Sequence, residues 1–268
     1  MVNFIGVIDR DCDRRTQFLN TVQPQLPLIE GLTTHSHGCG DLAMAWAASP
    51  NAPIHIEHNP GAITVIWGDA YPTHGRHPLT ALQLSAHWQQ PSPQTTPAFD
   101  GYYAAFSYTP ETGLVMGADL LGLFPVYYFS CEQVLLVGSS PDLFQYHPCF
   151  QTQFNPAGLI GILLTNGLFN GQTLWQQVRR LQPGHLLCAA TPDSASERLH
   201  YHLPEPQGDE AEGDFNDHLA TLEQHFDHAI AQQATPNSLL MLSGGLDSRL
   251  IAGVLHRQQK VPQALTLG

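Results

Sequence analysis

Ser238-Leu239-Leu240-Met241-Leu242 is a short apolar run, and Ser243-Gly244-Gly245-Leu246-Asp247-Ser248 follows it directly. Beyond these residues, Leu250, Ile251, Val254 and Leu255 share one helical face. The pattern is strand, tight loop, helix. Two glycines let the backbone turn sharply and come close to a ligand, and a helix start offers free N–H groups with a positive partial charge. Phosphate suits such a place. Ser243 and Ser248 add hydroxyl donors, whereas a carboxylate beside phosphate needs a reason to be there. Asp247 is therefore expected to bind the accompanying Mg²⁺ or to order the loop. The alternative is an ordinary glycine-containing strand-to-helix turn.

Two other groups of residues have ligand chemistry. His35-Ser36-His37-Gly38-Cys39 carries ligand types at alternate positions, a pattern open to Zn²⁺ or Ni²⁺. With 15 histidines in the chain, a solvated loop is the simpler reading. Asp209, Glu210, Glu212 and Asp214 lack an EF-hand pattern and read as a solvated spacer.

Ahead of the loop lies a body of short β-runs cut by glycine and proline. They are VNFIGVI at the start, AITVIWG from Ala62, GYYAAFSYT from Gly101, GLVMGADL from Gly113, PVYYFS from Pro125 and QVLLVGSS from Gln133. Turn residues at Glu111-Thr112-Gly113 and Ser130-Cys131-Glu132 make hairpins of the later runs, so antiparallel sheet is expected. Helices are expected between Pro78 and Gln90 and from Asn155 to Leu168, the latter with an Asn cap and a first-position proline. The Pro-, Gly- and acid-rich stretch from His202 to Asp214 reads as a linker. It divides the chain into 1–203, a linker at 204–213, and 214–268. After it, Phe215, Leu219, Leu222, Phe226 and Ile230 form the stripe of an amphipathic helix capped by Asp214, and the stripe is expected to be core.

A net charge of -13 over 268 residues repels nucleic acid and anionic membranes. The start has no basic segment or long apolar run of signal type, and no window approaches the ~18 apolar residues of a membrane span. A cytoplasmic location is expected. Five widely spaced cysteines suit reduced thiols better than a disulfide framework.

The string LSGGLDSR resembles the S-G-G-x-D-S pyrophosphate loop of the N-type ATP pyrophosphatases, in the form found in asparagine synthetases. The chain has no match for the G-x-x-x-x-G-K-[ST] loop. Asp100-Gly101-Tyr102-Tyr103-Ala104-Ala105-Phe106 is similar to that family's D-G-x-F-A-F strand. The run from Asp119 to Tyr128 is similar to its D-x-x-G-x-x-P-L-Y-Y hairpin. Gly138-Ser139-Ser140 stands where the family has A-S-E, and Leu181-Gln182-Pro183-Gly184-His185 looks like its L-x-P-G-H. The resemblance implies an α+β, N-terminal-nucleophile-type αββα sandwich of class II glutamine amidotransferase kind. It further implies that this sandwich precedes the start of an α/β, Rossmann-like ATP-pyrophosphatase domain. In that family Ser243, Gly244, Gly245, Leu246, Asp247 and Ser248 would hold the β- and γ-phosphates of ATP, with Mg²⁺. A small-molecule or peptide carboxylate attacks the α-phosphorus, and an amine or ammonia then displaces AMP from the acyl-adenylate.

The same resemblance marks departures. The family's glutaminase uses a Cys at position 2 as nucleophile, and here the residue is Val2. The glutamine-binding R-H-R-G-P-D segment has no counterpart between Glu30 and Ala70, and the N-G-E oxyanion strand reads Trp67-Gly68-Asp69. Cys12 is internal and needs processing to expose a terminal amine. Glutamine hydrolysis is therefore expected to be absent, which favours relatives that use an amine within the substrate, such as β-lactam synthetases and lasso-peptide macrocyclases. A non-catalytic interaction protein is the rival reading. Only two strands of the pyrophosphatase fold are expected, so either the sequence is a fragment of a longer protein or a second chain completes it.

Overall fold

Alternation along the strands decides the architecture. The computed structural model describes residues 2–59, 61–73, 75, 77–89, 98–202 and 214–266, and the chain divides into units Met1–Pro204 and Glu205–Gly268. The expected linker at 204–213 lies outside the described residues.

In chain order the first unit holds β1 (Val2–Asp9), α1 (Cys12–Val22), β2 (Thr33–Cys39), β3 (Leu42–Ala48), β4 (Ile54–Asn59), β5 (Ala62–Pro72) and α2 (Ala81–Trp88). It continues with β6 (Phe99–Thr109), β7 (Gly113–Ala118), β8 (Tyr127–Ser130), β9 (Val134–Gly138), α3 (Pro156–Thr165), β10 (Arg179–Arg180), β11 (His185–Ala189) and β12 (Ser196–Leu199). Two antiparallel sheets result, in the orders β10-β8-β9-β1-β3-β2 and β12-β11-β7-β6-β5-β4.

Each central strand feeds two cores because its side chains alternate between faces. On β1, Phe4 and Ile8 point between the sheets, while Ile5 and Val7 point outward. On β3, Leu42, Met44 and Trp46 go inward, and Ala43, Ala45 and Ala47 form a low outer surface. That surface lets α1 settle Phe18 and Val22 on the sheet. On the far side, Leu84 and Trp88 of α2 cover Ile66, Ala105 and Leu186 of the second sheet. The layers therefore run helix, sheet, sheet, helix.

Local chemistry sets the ends. The Asp11 side chain caps α1 by accepting from the Asp13 and Arg14 N–H groups, and Thr80 and Gln83 form a reciprocal capping box on α2. At the β6–β7 turn, Gly113 has φ 75°, and a Cβ there would lie 2.1 Å from the Ala189 carbonyl oxygen, so only glycine fits.

Several expectations need correction. His35-Ser36-His37-Gly38-Cys39 is not a loop but most of β2, ordered by its pairing with β3. Asn155 does not cap α3, because its Nδ2 donates to the Thr173 carbonyl at 2.8 Å, although Pro156 does occupy the first turn. No element was expected over α1 and β2–β4. Ala-rich β3 favours helix by propensity, and hydrogen bonding to β1 and β2 on both flanks overrides that preference.

The second unit holds α4 (Phe215–Gln233), β13 (Leu239–Met241), α5 (Leu246–Arg257) and β14 (Gln263–Leu265). β13 and β14 pair in parallel, with Leu240 opposite Ala264. The α4 stripe is not core: Phe215, Leu219 and Leu222 are 75%, 50% and 64% exposed. Its neighbour in the unit is α5, held by Arg257 to Glu223 at 2.8 Å and to Asp227, and one helix does not cover so wide a stripe. Val254 and Leu255 are the unit's buried apolar residues among those described. No helix among the described residues is long and apolar enough to cross a membrane.

Candidate functional site

Val2 opens the central strand of the first sheet, opposite Ala48, and its side chain packs against the core between the sheets. Two positions on, Phe4 stacks on Trp67 with ring centroids 4.1 Å apart and planes 12° apart. Trp46 meets Trp67 edge-on at 6.1 Å. Hydrocarbon and indole thus fill the space beside the first residues of β1. The Nε1 atoms of Trp46 and Trp67 are buried there without a hydrogen-bond partner.

Around this strand end the chain converges from distant segments. Ser139 Oγ donates to Asn3 Oδ1 and accepts the Phe4 N–H at 3.0 Å, while Asn3 Nδ2 donates to the Leu26 carbonyl at 3.0 Å. Asp69 accepts from His55 Nε2 at 2.8 Å and from the Tyr71 hydroxyl at 3.4 Å. Asp119 accepts the Leu123 and Phe124 N–H groups at 2.8 and 2.7 Å, so its carboxylate caps a turn. No thiol stands among these groups. Cys12 begins α1 beyond the other end of β1, a strand about 23 Å long at ~3.3 Å per residue. His35, His37 and Cys39, whose side chains have ligand chemistry, lie along β2. The rings of His37 and His58 approach to 4.5 Å, but no cluster of three or more ligating side chains exists among the described residues.

In the second unit, residues 242–245 join β13 to α5, and 243–247 are exposed. Ser243 and Ser248 close the loop on itself. Their hydroxyls lie 3.0 Å apart, Ser248 Oγ accepts the Ser243 N–H at 3.1 Å, and Ser243 Oγ accepts the Gly245 N–H at 3.1 Å. Arg249 Nε donates to the Gly245 carbonyl at 3.1 Å. Neither Gly244 nor Gly245 has a positive φ, so the turn itself does not demand glycine at either position. A Cβ on Gly244 would meet nothing within 4 Å, and one on Gly245 would meet Ser243 Oγ at 3.1 Å. Helices α1, α2 and α4 carry side-chain caps, whereas Gly245 leaves the start of α5 without one. Its first N–H groups are free to take an anion. Asp247 lies exposed in the first turn of that helix.

Residues 81–201 match the glutamine amidotransferase domain family. This amidotransferase-type domain takes in Asp100–Phe106, Asp119–Tyr128, Gly138–Ser140 and Leu181–His185, while Val2, Trp67 and the loop at 243–248 fall outside the match. Two solved structures are similar to the chain. One is the glutamine phosphoribosylpyrophosphate amidotransferase of B. subtilis complexed with ADP and GMP, at 9% identity and a TM-score of 0.39. The other is described as the allosteric regulatory enzyme of purine biosynthesis, at 10% identity and a TM-score of 0.41. Each likeness covers 98% of this chain, which spans 65% and 64% of the length of those structures. No curated protein matches the sequence.

A buried polar network that the sequence did not single out ties the end of β1 and the start of α1 to His147, within the matched stretch. Asp9, at the end of β1, accepts from Arg14 Nε and Nη2 at 2.6 and 2.7 Å and lies 3.5 Å from His147 Nε2. Asp9 and His147 are both buried. In linear form Asp9-Arg10-Asp11 looks like a charged turn, and nothing near it points to His147.

Proposed function

We propose that this protein is an asparagine-synthetase-like, ATP-dependent amide-bond ligase whose amidotransferase-type sandwich no longer hydrolyses glutamine. The observation that carries the ATP reading is the loop before α5. Gly244 lacks a side chain although neither its φ nor any neighbouring protein atom forbids one. The helix start beyond it is uncapped. Space kept open at such a position suits a ligand that must approach the backbone closely. Ser243 and Ser248 would supply hydroxyls and α5 N–H dipoles for pyrophosphate oxygens, while Asp247 would receive Mg²⁺ through its waters. The chemistry ATP would supply here is activation of a carboxylate by adenylation, with pyrophosphate as leaving group; the protein's part is to stabilise charge on that group with preorganised donors.

Val2 and the aromatic filling around Trp67 favour a nitrogen donor other than glutamine: ammonia, or an amine within a small-molecule or peptide substrate, as in β-lactam- and macrolactam-forming relatives. Calorimetric titration of Mg·ATP into the full gene product containing these residues tests the reading. Gly244→Val should abolish binding and leave the fold intact, because its Cβ meets no protein atom. Gly245→Val should abolish binding as well. Ser248→Ala should weaken binding more mildly, since a neutral hydroxyl is worth about 0.5–1.5 kcal/mol. Equal affinity of Gly244→Val and the parent would reduce the loop to an ordinary turn.

A further inference from the structure

Two histidines face each other across the open edge of the sandwich. β2 ends the first sheet and β4 ends the second, so ladder hydrogen bonding does not join these strands. Directly opposed residues of paired strands share a face of their sheet. His37 stands opposite Met44 and His58 opposite Ile63, and both of these partners belong to the core between the sheets. His37 and His58 therefore meet from different sheets, with ring centroids 4.5 Å apart and planes 46° apart.

Such a pair suits a late divalent metal. A neutral imidazole offers a nitrogen lone pair, and among the described residues neither ring takes a hydrogen bond. Burial, with the second ring beside it, holds His37 below its ordinary value of 6.5, so at neutral pH no proton occupies that lone pair. Metal–nitrogen bonds of ~2.0–2.1 Å put each ring centroid about 3.2 Å from the ion, and rings at adjacent corners of a square or octahedron then lie about 4.5 Å apart. A tetrahedral ion spreads the same rings to about 5.2 Å. The observed separation fits the tetragonal arrangement that Cu²⁺ and Ni²⁺ adopt. A chain of net charge -13 also attracts a cation.

We propose that His37 and His58 form a binding site for Cu²⁺ or Ni²⁺ that clasps the edge of one sheet to the edge of the other. Water completes the coordination, since no third ligating side chain joins the pair among the described residues. This goes beyond the ligase reading and does not depend on it. Ni²⁺ titrated alone into the full gene product, free of any affinity tag, tests it by calorimetry and by the urea midpoint. One Ni²⁺ per chain should bind and raise the midpoint, because the metal holds strands that separate on unfolding. His58→Ala should weaken binding by about tenfold or more, since even groups outside a coordination shell carry that much, and should remove the midpoint rise. Its circular dichroism should not change, because His58 is exposed. His37→Ala should behave in the same way. His35→Ala should bind like the parent, since His35 stacks on Trp46 with ring centroids 5.6 Å apart. Undiminished binding in His58→Ala, an adventitious ion only, overturns the proposal. Loss in His35→Ala without loss in His58→Ala places the metal on β2 alone and overturns it as well. A parent that takes up no Ni²⁺, or one Ni²⁺ between two chains, does the same.

Discussion

Under the proposed function, position 2 is where a single side chain decides a reaction. Nucleophilic attack on an amide needs a lone pair on a polarisable or ionisable atom, and the isopropyl group of Val2 has none. A thiol restored there would still face Phe4 stacked on Trp67, with indole at the position where the resembled family has its oxyanion Asn. Ammonia release from glutamine should therefore be undetectable in the parent, and Val2→Cys should not restore it. A glutamate-dehydrogenase-coupled assay measures both. Glutamine hydrolysis by the parent that persists in Cys12→Ala would refute this account.

Between elements, the junction of β1 with α1 rests on ionisation. Burial pushes the Asp9 carboxyl up, but the two Arg14 bonds and the Asp11 N–H outweigh it and hold the group below its ordinary range. Burial lowers His147, and the attraction of Asp9 offsets this only in part, so the ring stays below its ordinary value of 6.5. Both signs agree. A His with a depressed folded pKa contributes stability above about 6.5 that declines as pH falls toward its folded value, and a depressed Asp contributes stability that is lost at lower pH still. The urea midpoint should therefore fall on acidification below neutrality. His147→Asn keeps an acceptor for the Cys149 N–H, which His147 Nδ1 now receives at 3.2 Å, and should flatten that slope. His37 and His200, also lowered by burial, leave a residual slope. An unchanged slope in His147→Asn would mean that the acid limb belongs to other groups.

Across the whole molecule, the two units differ in how much apolar surface they hide. The first has three cores, one between its sheets and one under each helical layer. The second leaves Leu239 and Met241 of its sheet 55% and 52% exposed. A parallel pair needs both faces covered to be stable, and α4 and α5 do not supply that cover. Amides of α4, β13 and α5 should consequently exchange with solvent at far lower denaturant than those of β1, β3 and β6, by opening of the second unit alone. Hydrogen exchange read by mass spectrometry checks this, and a single coincident transition for both units would contradict it.

The linear pattern alone determined what depends on neighbours in sequence. The runs at Ala62, Gly101, Gly113 and Gln133 were legible as strands from alternation and turn residues. The Asp214 cap was legible too, and so was the strand, loop and helix around Ser243–Ser248, because six adjacent residues and their flanks contain all that the local geometry requires. Tertiary structure decided whatever depends on partners distant in sequence. Ser139 meets Asn3 across 136 positions, and Asp9 meets His147 only because sheet pairing carries β1 to β9 and the chain beyond it. The Ala-rich β3 became a strand because β1 and β2 claimed its hydrogen bonds. Periodicity shows that a helix has an apolar face and does not show whether anything covers it: the faces of α1 and α2 are covered, and those of α3 and α4 are not.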